Sequence, residues 1–432
     1  MAVVFMENWD QYDTLLDAVA RSYSQQAAPS FSNGSYLSAY IPRESVTTSG
    51  DGKAGGKALR VPLLQEYANL QNGVDNGNFY VNSGSGNFTL FDDPQATSET
   101  YIYSMWFKVS NLAADTVIMG VGNSTYMAFN IRLHTDGHLY FYPASTASGY
   151  TSLWVNSGAD YDQRQLLNYF KSDLAGTSWG DSTGIGYTPV VADQWHFLEI
   201  KLELAAASAT FEARIDGTTM LSRSDLDTSK SGLITSIDRI FHSNHVWSTD
   251  NGGTASPIEG DAGASTVGIV RDTLWDCIFI MDESGTSLND FIGPSTIYSL
   301  APDSTIANGD TGNTFVETGA ASIAEALATL DGDTSYISAE AAADVTLGFD
   351  DLPVSNRQVH AVQVQSFAKA TGVSPRTIQH KIGASEVAAG AAQSLDTSYA
   401  SHVNIMESNP ENAGSWEVND VNSLEVKIET ST

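Results

Sequence analysis

Residues 195–204, WHFLEIKLEL, alternate strictly: Trp195, Phe197, Glu199, Lys201 and Glu203 fall on one face of an extended chain, and His196, Leu198, Ile200, Leu202 and Leu204 on the other. No helical wheel sorts these residues, so the segment is a strand with one apolar face. The following ATFEARIDGTTMLS repeats the alternation around Asp216-Gly217, a dipeptide suited to the left-handed positions of a tight hairpin turn. Upstream, YIYSMWFKV (101–109), TVIMGVG (116–122), MAFNIRLHTDG (127–137) and HLYFYP (138–143) read as further strands, with a second turn at Asp136-Gly137. Alternating strands joined by such turns point to antiparallel sheets packed face to face.

The chain has 432 residues, beyond the size at which one core stops growing, so more than one domain is expected. VGIVRDTLWDCIFIMD closes the first sandwich, and a smaller unit starts near residue 296. Its strands are ADVTLGFDDLP, VHAVQVQSFAKA, TIQHKIGA and SLEVKIE, with a short helix over residues 321–330. The expected fold class is all-β: a β-sandwich over residues 1–295, then a jelly-roll or immunoglobulin-like β-sandwich over 296–432. Helical periodicity over Trp9 to Tyr23 and the run DQRQLLNYF predict two further short helices.

Charged residues make up only 16% of the chain, so Ser, Thr, Asn, Gln and Gly must solvate much of the surface. The net charge is −31, and residues after 295 carry 5 basic and 18 acidic side chains, so both parts are acidic. That field repels nucleic acid and anionic membrane, and neither is expected as a partner. No stretch approaches the length and apolarity of a membrane span. The single cysteine, Cys277, lies among Trp275, Ile278 and Ile280 and reads as a buried, unreactive thiol.

Signals for catalysis are weak. His242 and His245 are close in sequence, and His134 and His138 flank a hairpin turn, but neither pair completes a transition-metal set. A glycoside hydrolase needs two carboxylates about 5–9.5 Å apart. Glu199 and Glu203, separated by four residues along one strand, stand roughly 13 Å apart, and with Lys201 between them they read as a solvated outer face. A chain without enzymatic activity is therefore expected. Calcium has two candidate sites built from hard oxygens: Asp250, Asn251, Glu259 and Asp261 in one glycine-rich loop, and Asp331 with Asp333 in the DGDTS turn. Loop aromatics suited to stacking on sugar rings are Tyr150, Trp154, Tyr161, Tyr187 and Trp247.

The first unit resembles concanavalin A-like lectin/glucanase (laminin G-like) sandwiches. The resemblance lies in MAVVFMENWDQY, GKALRVP, YIYSMWFKV, FNIRLHTDGHLYFY, DQWHFLEIKLEL and FEARIDG, with Trp195-His196 preceding the Asp216-Gly217 hairpin. The junction DTLWDCIFIMDESGTSLNDFIGPSTIYSLAPDS, with DGDTSYIS, FDDLP, VHAVQVQSFAKA and ESNPENAGSWEVNDVNSLEVKIE, resembles tailed-phage virion proteins. Trp275-Asp276-Cys277 departs from the acid pair usual there, which puts any carried-over ion site in doubt. The resemblance implies a virion structural protein of the tail or fibre apparatus. It implies other virion proteins as partners, a homo-oligomer with three copies common, and a host surface glycan as ligand. Competing readings are a capsid decoration protein or head fibre, and a secreted glycan-binding protein or glycoside hydrolase.

Overall fold

The computed structural model describes residues 3–12, 45–65, 88–89, 100–112, 116–122, 127–133, 137–143, 170–171, 189–226, 228–229, 232, 234–237, 239–246, 268–283, 288–310, 313–372 and 376–431. Two compact units emerge. The first comprises Tyr23–Glu283 and Asp290–Ser295, and the second Met1–Ser22, Ser284–Asn289 and Thr296–Thr432. Sequence reading placed one cut at residue 295; the structure instead assigns the N-terminal residues to the second unit. The physical reason is local to that unit: the Val3 N–H donates to Glu407 Oε1 at 2.9 Å, and Asn8 bonds the Ile297 carbonyl and the Ser299 hydroxyl.

In chain order the strands are β1 (Val3–Glu7), β2 (Ser45–Val46), β3 (Leu59–Gln65), β4 (Phe88–Thr89), β5 (Thr100–Val109), β6 (Thr116–Gly122), β7 (Met127–Leu133), β8 (Leu139–Pro143), β9 (Phe170–Lys171), β10 (Trp195–Glu203), β11 (Ala209–Ile215), β12 (Thr218–Leu226), β13 (Arg239–Val246) and β14 (Gly268–Asp282). They are followed by β15 (Pro302–Asn308), β16 (Val316–Thr318), β17 (Tyr336–Ser338), β18 (Asp344–Phe349), β19 (Val362–Ala368), β20 (Thr377–Ile382), β21 (Val387–Ala388), β22 (Gln393–Ser394), β23 (Ala400–Met406) and β24 (Val426–Ser431).

The first unit holds two antiparallel sheets, ordered β12-β11-β10-β5-β14-β3-β2 and β4-β13-β6-β7-β8-β9. The all-β sandwich class expected from the sequence holds. β11 and β12 meet at Ile215 and Thr218, so Asp216 and Gly217 are the turn, with φ of 51° and 79°. Those left-handed angles are what the dipeptide was read for. β7 and β8 likewise form a hairpin, with Gly137 at φ 83°. The core face of the first sheet is continuous: Tyr101, Tyr103, Met105 and Phe107 of β5 pair with Leu202, Ile200, Leu198 and His196 of β10, and all are buried. Cys277 is buried as expected. It sits in a bulge of β14, between Asp276 and Phe279, at φ 48°.

The second unit has a sheet ordered β15-β18-β24-β20-β21, with β22 also on β20, and two-stranded sheets β16-β17 and β19-β23. The short helix is Ile323–Ala328, within the predicted 321–330. Ser322 Oγ accepts the Glu325 N–H, and Glu325 returns a bond to the Ala321 N–H, which explains the helix's start. One apolar cluster joins Phe315, Ile323, Val345, Leu347, Ile378 and Ile428; another joins Ile382, Met406, Trp416, Val421 and Val426. Of the helix predicted over Trp9 to Tyr23, residues 9–12 form a turn closed by Tyr12 N–H to Trp9 O, and 13–23 lie outside the described residues. The helix predicted at DQRQLLNYF also falls outside them, except for Phe170, which is in β9.

Candidate functional site

The second face of the large sheet carries polar chemistry. Ser104, Trp106 and Lys108 of β5 stand opposite Glu199, Phe197 and Trp195 of β10. Sequence reading placed Glu199 on a solvated face. That expectation is corrected: Glu199 is 0% exposed. Residues 290–295, far away in sequence, lie across this face as a strap. Glu199 Oε1 accepts the N–H groups of Ile292 and Gly293 at 3.0 and 2.9 Å. The Trp106 indole N–H donates to the Ser295 carbonyl, Lys201 reaches Asp290, and the Arg214 guanidinium lies over the Phe291 ring. Burial pushes the Glu199 carboxyl above its usual range, against the lowering effect of the two N–H donors.

At one end of the same face the strap gives way to a cleft of about 430 Å³. Four strands meet there in one cross-strand row. Trp195 is opposite Lys108, Lys108 opposite Leu274 of β14, and Leu274 opposite Arg60 of β3. Lys108, Leu274 and Arg60 line the cleft with Thr47, Thr48, Asp51, Ser110, Asp193 and Asp272. The Lys108 ammonium sits 5.2 Å from the Trp195 ring centroid, so the indole neighbours the lining through Lys108 without lining the cleft itself. Arg60 pairs with Asp272 at 2.9 Å. Ser110 fixes Asp272 further, its hydroxyl accepting the Asp272 N–H and its own N–H donating to the Asp272 carbonyl.

The cleft walls are held by specific bonds. The turn preceding β10 carries Asp193 at φ 59°, its N–H bound to the Val109 carbonyl. Aspartate is among the few residues that adopt this left-handed conformation readily. The loop from Thr47 to Ala58 closes on itself through Gly50 and Gly52 N–H bonds to the Gly56 carbonyl. Asp276 Oδ2 accepts the Lys53 N–H, and the Lys53 ammonium lies 3.8 Å from the Trp106 ring centroid. Asp276 therefore anchors a loop of the cleft.

His196 and Asp216 lie at the same end of β10, with His196 on the core face of the sheet. The Val191 N–H donates to His196 Nε2, so the ring proton is on Nδ1 and donates to Asp216 Oδ2 at 2.9 Å. Burial alone would raise the Asp216 carboxyl, but hydrogen bonds from His196 and the Phe197 N–H outweigh it and hold the group below the usual carboxylate range. Every polar atom of the imidazole is engaged by the protein, which makes this pair a clamp on the hairpin.

The residues proposed from sequence distribute differently. Tyr150, Trp154, Tyr161, Tyr187 and Trp247 lie outside the described residues, as do Asp250, Asn251, Glu259, Asp261 and His134. Asp331 and Asp333 are described, and their carboxylates serve the protein itself. Asp331 accepts the N–H and hydroxyl of Ser335, while Asp333 accepts from Lys369 at 2.7 Å and from the Tyr399 hydroxyl at 2.9 Å. Among the described residues no group of three or more His, Cys, Asp or Glu side chains is gathered as a metal ion requires. Sequence reasoning missed Arg60, Lys108, Asp193 and Asp272. The available cue was a charged side chain at the end of an apolar strand, as in the lysine of YIYSMWFKV.

No family model and no curated protein matches the chain. Solved structures do. A sialidase is similar over 65% of this chain at 10% identity and TM-score 0.34, and the chain spans only 18% of that protein's length. The alginate lyase Aly36B is similar over 64% of this chain and 96% of its own, at 14% identity and TM-score 0.33. The catalytic domain of a glycoside hydrolase family 131 protein from Coprinopsis cinerea is similar over 66% and 97%, at 10% identity and TM-score 0.32. These are enzymes by name, and the expectation of a chain without enzymatic activity is corrected on that finding.

Proposed function

We propose that the chain is a glycan-recognising protein and that the cleft at Trp195, Lys108 and Arg60 receives the sugar. The observation that carries this reading is the composition of the cleft. Arg60 and Lys108 offer donors, Asp51, Asp193 and Asp272 offer acceptors, Thr47, Thr48 and Ser110 offer hydroxyls, and an indole neighbours the lining through Lys108. Sugar hydroxyls both donate and accept, and the apolar face of a pyranose packs on an aromatic ring, so a neutral glycan suits this mixture. With three carboxylates against two cations, a polyanionic glycan suits it less.

Calorimetric titration of the full chain against a panel of neutral oligosaccharides tests the reading, with release of reducing ends followed in parallel. Lys108→Met or Trp195→Ala is expected to weaken a detected interaction at least tenfold. Unchanged affinity in both variants would place the sugar elsewhere.

The resemblance of residues 273–299 and of the C-terminal strands to phage virion proteins supports a second layer of the same proposal. The chain would be displayed on a particle, on the tail or its fibres, with host surface glycan as ligand. Labelling of native particles distinguishes this position from a head-decoration site, and absence from particles would leave a free glycan-active protein.

A further inference from the structure

The second unit buries an ammonium and a carboxylate side by side. Lys427 of β24 and Asp344 of β18 are 2% and 0% exposed, and Lys427 Nζ lies 3.2 Å from Asp344 Oδ2. The strand register explains the encounter. β18 and β24 pair Thr346 with Lys427 and Asp344 with Glu429, so Lys427 and Asp344 are diagonal neighbours on one face of the sheet. Glu386 completes the cluster: its Oε1 accepts from the same ammonium at 2.9 Å, and its side chain is 45% exposed. The Asp310 N–H donates to Asp344 Oδ2 at 3.1 Å and holds that carboxylate in place.

Two features set this cluster apart from an ordinary ion pair. Glu386 sits at φ 51°, in a turn that its N–H closes on the Gly383 carbonyl. A glutamate rarely adopts this left-handed conformation, and such strain gathers where a side chain has to be aimed. The second feature is depth. Burying an ion pair gains little, because desolvation of both charges offsets their attraction. Lys381, opposite Lys427 on β20, shows the plain alternative on the same face: it pairs with Glu429 at exposures of 22% and 30%, where solvent reaches both groups.

We infer that Lys427 and Asp344 condense to an intramolecular isopeptide bond, with Glu386 relaying the proton. Burial alone would lower the Lys427 pKa, but hydrogen bonds to Glu386 and Asp344 outweigh it and hold the ammonium above its ordinary value, so its protons move within the cluster. The ammonium passes one proton to the Asp344 carboxylate, leaving a neutral amine beside a carboxylic acid. The Nζ lone pair attacks Cγ, and a nitrogen–carbon bond forms while the carbonyl π pair moves onto oxygen. Glu386 takes a second proton from nitrogen and delivers it to the Asp344 hydroxyl. The carbon–oxygen bond then breaks, the hydroxyl leaves as water, the carbonyl re-forms and Glu386 is again a carboxylate. An ammonium and a carboxylate become one secondary amide and one water, with no oxidant or cofactor. Fixed proximity supplies the activation, and exclusion of water disfavours hydrolysis of the product. Until the amide forms, the pair has the energetics of any buried ion pair. Once formed, it ties β18 to β24 in the middle of the sheet.

Intact-mass spectrometry of the full chain, followed by peptide mapping, tests this. A mass lower than that of the sequence by one water is expected, with Lys427 and Asp344 recovered in one branched peptide. Lys427→Arg keeps the cation but cannot form the amide, and its mass should equal that of its own sequence. Glu386→Gln leaves the buried pair in place and should slow cross-linking at least tenfold, read from the branched peptide in samples taken over time after synthesis. A folded chain that keeps the full mass of its sequence after prolonged incubation overturns the inference. So does a one-water deficit that maps to other residues or persists in Lys427→Arg. Cross-linking at an unchanged rate in Glu386→Gln overturns the role given to Glu386.

Discussion

Acid is expected to destabilise the second unit through one histidine. His380 of β20 is 1% exposed, and both its ring nitrogens are bound by neutral side chains. Ser366 Oγ lies 2.8 Å from Nε2, and the Asn404 amide nitrogen 2.7 Å from Nδ1. An amide nitrogen only donates, so Nδ1 is the unprotonated atom and no position remains for a second proton. Burial, and after it the neighbouring His402, push the His380 pKa down to about 4 from the ordinary 6.5. In the folded chain the neutral ring is therefore favoured, while the unfolded chain takes up a proton below pH 6.5. Stability is complete above that value and falls as the pH drops towards 4, by about 3 kcal/mol at about 1.4 kcal/mol per pH interval. Carbon-13 NMR of labelled histidine reads the titration directly, and urea unfolding between pH 7.5 and 4.5 reads the energetic consequence. His380→Gln keeps hydrogen-bonding capacity without a titrating ring, and should flatten the pH dependence of unfolding over that interval. A ring that titrates near 6.5 in the folded chain, or an unchanged slope in the variant, would refute the reasoning.

Two further changes test the packing. Glu199→Ala should lower the stability of the first unit by about 2–4 kcal/mol, since it leaves two N–H groups of the strap without an acceptor, whereas Glu199→Gln retains a carbonyl and should lose less; thermal unfolding of the two variants checks the order. Asp344 is 0% exposed and pairs with Lys427, itself 2% exposed, at 3.2 Å. Asp344→Asn should cost about 3 kcal/mol, at the lower end for a broken buried pair because Glu386 still holds the ammonium at 2.9 Å, and chemical denaturation measures it.

The local parts of the fold were legible in the sequence and the long-range parts were not. Alternation sorted β10 into its two faces, Asp216-Gly217 announced its hairpin, and the run ASIAEALATL over residues 321–330 announced a short helix. Each of these signals is contained within a few residues. Glu199 shows the limit: its face was assigned correctly, yet its burial depends on Ile292 and Gly293, whose approach no local pattern encodes. Asp331 and Asp333 look like a shared cation site when read as neighbours. In the fold Asp331 bonds within its own turn, and Asp333 meets Lys369, which lies just beyond β19. The cleft is similarly non-local, because Arg60, Lys108 and Asp272 converge only through the registers of β3, β5 and β14.

The central claim, a glycan seated on the Trp195–Lys108–Arg60 row, is tested most directly by determining the structure of the full chain with a saturating neutral oligosaccharide. The account predicts sugar density in the cleft, with hydroxyls within hydrogen-bonding reach of Lys108 and Arg60 and a ring face near Trp195. Density confined to another surface, or an empty cleft with a glycan that solution titration shows to bind, would contradict it.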